Sequence, residues 1–187
     1  MEPFGIIGGS AFLTGLPPEG AEERTVATDG GDVVVHDAGT FVFLRRHGHG
    51  RYRPPHRIPH HAHALALESL GVRRAVGLCS VGSLDAAIAP GTAVVCDDYL
   101  SLGPPPTFAE DERLHIVPRL DAGLRALLLA AARATEGPVR DGGVYAETRG
   151  PRFETPAEIR LLADYAHVVG MTAASEATLL QERGIAY

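Results

Sequence analysis

The chain contains no lysine, and all 17 of its basic residues are arginine. A P-loop nucleotide site requires a lysine after its glycine-rich turn, and a Schiff-base enzyme requires a lysine amine. Both kinds of site are therefore excluded. Any phosphate or carboxylate that this protein binds must be held by arginine, histidine, hydroxyl groups or backbone N–H groups.

Cysteine is scarce and long apolar segments are missing. Cys79 and Cys96 each lie in an apolar run, which favours buried thiols in a reducing cytoplasm over a disulfide. There is no apolar run of transmembrane length, and the N-terminus lacks the features of a signal peptide. The net charge of −6 argues against non-specific nucleic-acid binding. We expect a cytoplasmic protein with no membrane and no nucleic-acid partner.

Positive charge is nevertheless concentrated in residues 44–63, which hold five of the 17 arginines and six of the nine histidines. Arginine offers a fork of donors for phosphate oxygens, and an adjacent histidine adds another donor. A histidine metal site is the rival interpretation, because imidazole is the commonest metal ligand. The neighbouring arginine charges would repel a dication, so we expect no metal here.

Apolar runs alternate with helical patterns along the whole chain. Strands are predicted in residues 4–9 (ending in a glycine turn), 32–46 (a hairpin), 73–83 (a strand running into a glycine-containing loop), 91–102, 138–154 (a strand followed by a loop) and 167–171. Helices are predicted in residues 59–72, 121–134 and 173–183, and another begins at Thr155 with a capping box. The predicted fold class is α/β, a single domain with a mixed, largely parallel central sheet flanked by helices.

Polar loops follow five of the predicted strands, in residues 8–10, 46–50, 80–83, 150–154 and 170–172. Ligands of open α/β sheets bind at the carboxyl ends of the strands. Each loop alone is a weak signal; residues 8–10 by themselves indicate a tight turn and do not match the dinucleotide fingerprint. Together the five loops predict a site for an anion and a flat polar ligand.

In this order, the same motifs resemble those of the trimeric purine nucleoside phosphorylases, a family that includes the methylthioadenosine and methylthioinosine phosphorylases. The similarity covers essentially the whole chain. It implies phosphorolysis: inorganic phosphate, the co-substrate, attacks C1′ of a purine nucleoside and releases the base and a ribose 1-phosphate. It implies no further cofactor, and it implies a homotrimer or hexamer.

By motif position, the resemblance also implies three sets of site residues. Phosphate would be bound by Ser10, Arg46, His47, Ser80 and Thr172. Met171 would pack against the sugar, and His49 would reach a sugar hydroxyl. Phe153 would pack on the base and Glu154 would hydrogen-bond its edge. The alternative for Glu154 is a cap on the helix that begins beside it.

The identity of residue 154 further predicts the base. An ionised Glu154 can only accept hydrogen bonds. The N1–H of a 6-oxopurine donates one, whereas N1 of adenine is itself an acceptor. A 6-oxopurine is therefore predicted, in agreement with the resemblance, while the 5′ group of the sugar stays open between hydroxyl and methylthio.

Family members normally continue past the position of Tyr187 with a strand, a loop that contacts the purine N7 and a helix. The expectation is a nucleoside phosphorylase domain over residues 1–187 that lacks this part, with the activity of these residues alone left open. Two alternatives are a non-catalytic purine- or phosphate-binding relative and a nucleosidase that uses water.

Overall fold

The computed structural model describes residues 2–14, 18–110 and 113–187, which form mixed α/β structure and confirm the predicted fold class. The strands are Phe4–Gly8 (β1), Glu22–Val26 (β2), Val33–Asp37 (β3), Phe41–Arg45 (β4), Arg74–Leu78 (β5), Gly82–Ser83 (β6), Ala93–Val95 (β7), Asp98–Ser101 (β8), Val139–Asp141 (β9), Val144–Glu147 (β10) and Val168–Gly170 (β11). The α-helices are His60–Ser69 (α1), Ala122–Arg133 (α2), Pro156–Ala163 (α3) and Ala173–Glu182 (α4).

The first sheet has the strand order β2-β3-β4-β1-β5. Strands β4, β1 and β5 run parallel, and their last residues, Arg45, Gly8 and Leu78, lie side by side. On the side of β1 opposite β5, strands β2, β3 and β4 form an antiparallel meander, of which β4 is the strand next to β1. Parallel neighbours end at the same edge, so the loops after β1, β4 and β5 start next to one another.

A second sheet has the order β6-β11-β10-β8, and β7 pairs with β9 in a separate parallel ladder. The sequence predicted one strand followed by a loop over residues 138–154, but Gly142 and Gly143 divide the strand into β9 and β10. Their φ angles of +86° and +138° lie in the left-handed region, where a strand cannot continue. The strands of the predicted central sheet thus belong to three separate sheets of five, four and two strands.

The largest apolar core lies between the first sheet and the helices α1 and α4. Ile7, Leu44, Leu67 and Leu179 are all at most 1% exposed. Each buried side chain of this size contributes about 1.5–3 kcal/mol by leaving water. This packing fixes α4 behind the strands whose ends carry the predicted site.

Helix starts agree with the sequence analysis. Thr155 Oγ1 accepts from Glu158 N at 3.2 Å, and Glu158 Oε2 accepts from Thr155 N at 2.7 Å, which is the predicted capping box of α3. Asp121 Oδ1 caps α2 by accepting from Leu124 N at 2.8 Å. Among the described residues, no helix is both long enough and apolar enough to cross a bilayer.

Candidate active site

Backbone hydrogen bonds join the three loops at the carboxyl ends of β1, β4 and β5. Arg46 N donates to Gly8 O at 2.9 Å, and Gly9 N donates to Leu78 O at 2.9 Å. The loops that carry the predicted phosphate residues of the first sheet are thus in direct contact. Ser10 and Ser80 are both exposed at this edge.

Arg46 is the fixed charge of this edge, with only 1% of the residue exposed. Its Nε and Nη2 donate to the Glu176 carboxylate at 2.5 and 2.9 Å. Nη1 donates to Leu78 O at 2.8 Å, and Nη2 also donates to Ile7 O at 3.4 Å. A guanidinium has five N–H groups. Within the described residues these bonds use four of them, so one N–H on Nη1 is left for an anion.

The partner of Arg46, Glu176, lies in α4 and is 3% exposed. Burial alone would raise the pKa of Glu176, but the charge and hydrogen bonds of Arg46 lower it overall. Burial also opposes the charge of Arg46, and Glu176 more than offsets it, so the pKa of Arg46 is raised. Tyr187 Oη donates to Glu176 Oε2 at 2.9 Å. Both charges therefore persist, and the guanidinium is held in one orientation.

Sequence reasoning missed Glu176 and Tyr187. The available signal was Glu176, a carboxylate among the small and apolar residues of the first two turns of the predicted helix 173–183. Buried carboxylates need a cationic or hydrogen-bonding partner, so a buried arginine elsewhere could have been inferred.

Gly9 is required by the position of Arg46. A Cβ at Gly9 would collide with Arg46 Nη1 and would lie 2.6 Å from Leu78 O. Nη1, which carries the N–H that is left for an anion, therefore packs against the turn that leads into Ser10. A small anion at this turn would meet both the guanidinium and the hydroxyl.

His47 is 7% exposed and has one defined tautomer. Its Nδ1 lies 2.9 Å from Arg53 O, and a carbonyl oxygen can only accept, so Nδ1 carries a proton. The ring stacks on Tyr52 with centroids 5.4 Å apart. Nε2 is left to accept from a phosphate O–H or, once protonated, to donate to a phosphate oxygen.

Thr172 joins the second sheet to this edge. Its backbone N and that of Ala173, the first residue of α4, donate to Tyr145 Oη at 3.1 and 3.3 Å. Its Oγ1 lies 3.8 Å from Sγ of Cys79, the residue just before Ser80. The hydroxyl of Thr172 thus lies beside the loop after β5, which carries Ser80.

The base side of the predicted site lies at the ends of β10 and β11. Thr148 Oγ1 donates to Glu154 Oε1 at 2.5 Å, and Thr148 N donates to Gly170 O at 2.9 Å. The carboxylate that caps α3 is Glu158, so the capping alternative for Glu154 is not what the structure has. Within the described residues, Glu154 Oε2 has no hydrogen-bond donor.

Met171 and Phe153 border the same corner. Met171 packs so closely on Gly150 that a Cβ at residue 150 would lie 2.6 Å from Sδ. Phe153 is 84% exposed, and its ring stands at the rim. The structure therefore brings Glu154 and Met171 into one corner and leaves Phe153 open to solvent.

His49 is set apart from the other predicted residues. Its Nε2 lies 3.4 Å from Oε2 of Glu23 in β2, and its ring centroid lies 5.8 Å from that of His36 in β3. These strands are at the end of the first sheet opposite β5.

An apolar cavity of about 470 Å³ adjoins the edge where β1, β4 and β5 end, between β5, β7 and α2, and Cys79, the neighbour of Ser80, is part of its lining. Val94, Leu124 and the ring of Tyr187 are part of its lining. None of the nine predicted site residues, all of which are described, lines it. The candidate site is therefore defined by the strand-end loops and not by this cavity.

Comparison with known proteins decides the family: residues 3–187 match the family model described as the phosphorylase superfamily. The chain belongs to the phosphorylase superfamily. A probable 6-oxopurine nucleoside phosphorylase of Archaeoglobus fulgidus is 40% identical over 98% of this phosphorylase chain and 78% of its own length. A probable S-methyl-5′-thioinosine phosphorylase of Methanopyrus kandleri is 38% identical over 100% and 76% of the two lengths.

The fold of this phosphorylase chain matches solved structures as well. Methylthioadenosine phosphorylase from Schistosoma mansoni superimposes with a TM-score of 0.84 and 27% identity, covering 100% of this chain and 78% of that protein. The predicted family and fold are thus confirmed.

Proposed function

We propose that this phosphorylase catalyses the phosphorolysis of purine nucleosides and prefers 6-oxopurine nucleosides. A phosphate oxygen forms a bond to C1′ while the glycosidic bond between C1′ and N9 breaks. The electron pair of that bond leaves with the base, which then takes up a proton. The products are the free purine and ribose 1-phosphate or its 5′-methylthio derivative.

The observation that carries the proposal is the buried cation Arg46, with one N–H left at the edge where the loops of β1, β4 and β5 meet. Its orientation is fixed before any ligand binds, because Glu176 and Leu78 O hold the guanidinium. Departure of a purine leaves positive charge on the sugar, and a bound phosphate stabilises that charge while acting as nucleophile.

The other ligands of the phosphate would be the hydroxyls of Ser10, Ser80 and Thr172 and Nε2 of His47. Met171 would support the sugar, and His49 keeps its assignment to a sugar hydroxyl only through the resemblance. Glu154 would accept from the purine N1–H through Oε2, since Oε1 already accepts from Thr148. The relatives at 38–40% identity, which are named for 6-oxopurine and thioinosine substrates, support this preference.

The assembly that we propose is a homotrimer or hexamer in the cytoplasm, with phosphate as co-substrate and no other cofactor. Large apolar side chains such as Phe153 (84% exposed), Val117 (84%) and Leu102 (68%) lie open on the single chain, as expected of a subunit. The thiols of Cys79 and Cys96 are not joined, which suits a reducing compartment. Light scattering of the purified protein measures the subunit number.

The test is release of hypoxanthine from inosine, and of the base from methylthioinosine, with phosphate and without it. Arg46→Ala is expected to raise the phosphate KM and to lower kcat/KM by roughly 10²-fold, the scale of losing one charged transition-state contact. Arg57→Ala, which removes an exposed arginine of the same segment, is the matched control. Arg46→Lys keeps a positive charge opposite Glu176, so it tests the lost guanidinium contact in a protein whose buried ion pair is retained.

Three outcomes would contradict the proposal or its assignment to Arg46. Base release at the same rate without phosphate would indicate a nucleosidase that uses water. Phosphate binding without turnover of any purine nucleoside would indicate a non-catalytic binding protein. Unchanged phosphate dependence in folded Arg46→Ala would remove Arg46 from the site.

A further inference from the structure

Three potential metal ligands meet at the end of the first sheet opposite β5. Glu23 in β2 and His36 in β3 are direct cross-strand partners, so their side chains share one face. His49, in the loop after β4, approaches both. One ligand atom from each of the three residues lies within 4.8 Å of the other two.

The central residue, His36, is buried without a hydrogen-bond partner. It is 3% exposed, and within the described residues neither Nδ1 nor Nε2 has a hydrogen-bond partner. A buried polar group in this state costs about 1–3 kcal/mol. A bond from an imidazole nitrogen to a metal would remove that penalty.

The other two ligands have a separation that suits zinc. His49 Nε2 and Glu23 Oε2 are 3.4 Å apart. Tetrahedral zinc with bonds of about 2.0–2.1 Å to nitrogen and oxygen places neighbouring ligand atoms about 3.3 Å apart. The side chains of Glu23 and His49 are 55% and 37% exposed, so an ion and a water molecule have access from solvent.

We propose that Glu23, His36 and His49 bind one Zn²⁺ ion, with water as the fourth ligand. Sequence analysis expected no metal because arginines surround the histidines, and Arg45 does lie on the His36 face of β4. The structure adds the carboxylate of Glu23 from the neighbouring strand β2, and its charge offsets this repulsion. The ion would tie β2, β3 and the loop after β4 together, and His49 would then be a metal ligand in place of the sugar contact that the resemblance implies for it.

The test is calorimetric titration of the metal-free protein with Zn²⁺, together with native mass spectrometry. We expect one Zn²⁺ per chain, and a loss of affinity of roughly tenfold or more in Glu23→Gln, His36→Gln and His49→Gln. Glu22→Gln, whose side chain points to the opposite face of β2, and His115→Gln, an exposed histidine, are matched controls that keep wild-type affinity.

Thermal unfolding provides a second readout that does not depend on folding of the His36 variant. Zn²⁺ should raise the Tm of the wild type and of both controls, and should leave the Tm of the exposed-site variant His49→Gln unchanged. Absence of stoichiometric binding would mean that Glu23 and His49 form only an ion pair. Binding that survives the three ligand substitutions, or that is lost equally in the controls, would also overturn the proposal.

Discussion

The phosphate side and the base side of the candidate site hold their charged groups in different ways. Arg46 and Glu176 are 130 positions apart in sequence and both are buried. Glu154 and its partner Thr148 are six positions apart and only partly buried. The first contact exists only when the whole core is formed, whereas the second is made within one loop. The phosphate side is thus fixed by the fold, and the base side is free to vary with the substrate.

The largest expected effect comes from breaking the buried contact. Glu176→Ala leaves the Arg46 charge buried and unpaired, so the free energy of unfolding should fall by about 3–5 kcal/mol. Glu154→Ala, the matched change on the base side, should cost less than about 1 kcal/mol. Urea unfolding of both variants measures the difference. Equal losses would show that the two sides are held alike.

A second contrast lies in the response to acid. Burial lowers the pKa of His60 to about 4 and that of His63 to about 3, in the helix behind Arg46. The unfolded chain binds these protons below pH 6.5 and the folded chain does not, so stability falls as the pH drops. At pH 5 the loss should be about 2 kcal/mol for each histidine relative to pH 7.

The base side should respond in another pH range. Hydrogen bonds from Arg152 and from the Thr155 backbone lower the pKa of Glu158 to about 2. Its contribution is present above about pH 4.5 and is lost only as the pH falls towards 2. Urea unfolding at pH 7, pH 5 and about pH 3, in wild type, His63→Gln and Glu158→Gln, checks both ranges. A pH slope that the substitution leaves untouched would contradict the assignment to His63.

The third effect concerns selectivity. Glu154→Gln replaces a pure acceptor by a group that also donates, so the preference for inosine over adenosine should fall. A loss of about 1–3 kcal/mol corresponds to roughly five- to 150-fold in the ratio of kcat/KM values. Glu158→Gln, the neighbouring carboxylate that caps α3, should leave the ratio unchanged. A wild type that prefers adenosine would exclude Glu154 from base recognition.

The smallest effect is local. Thr155→Ala removes the side-chain half of the capping box of α3 and should cost about 1 kcal/mol of unfolding free energy. Thr155→Ser retains the hydroxyl and should cost much less. Thermal unfolding of the two variants tests this, and equal losses would mean that the methyl group matters more than the cap.

The same contrast explains what the sequence could predict. The loop motifs, the capping box at Thr155 and the glycine after α4 depend on neighbours within a few residues, and their positions were correct. Strand β2 was missed because its residues Glu22–Val26 are mostly exposed and polar and become a strand only by pairing with β3. Gly142 and Gly143 are adjacent in the sequence, but the segments before and after them together resemble one strand, so the division was not predicted.

The site shows the same limit. Arg46 could be proposed from its motif, but its pairing with Glu176 depends on packing α4 behind the first sheet. Likewise His36 was seen only as a residue of a predicted hairpin. Its meeting with Glu23 is set by the register between β2 and β3, and no local pattern specifies that register.

The bonds of Glu176 also have a consequence for motion. Through Arg46 and Tyr187, this carboxylate connects the end of β4, helix α4 and the last residues of the chain. Opening β4 or α4 separates the two charges in the core, and opening the end of the chain removes a hydrogen bond from Glu176, so the three parts should open together. In hydrogen exchange, their slowest amide protons should therefore exchange at one common rate, and the phosphate side of the candidate site should behave as a single rigid unit.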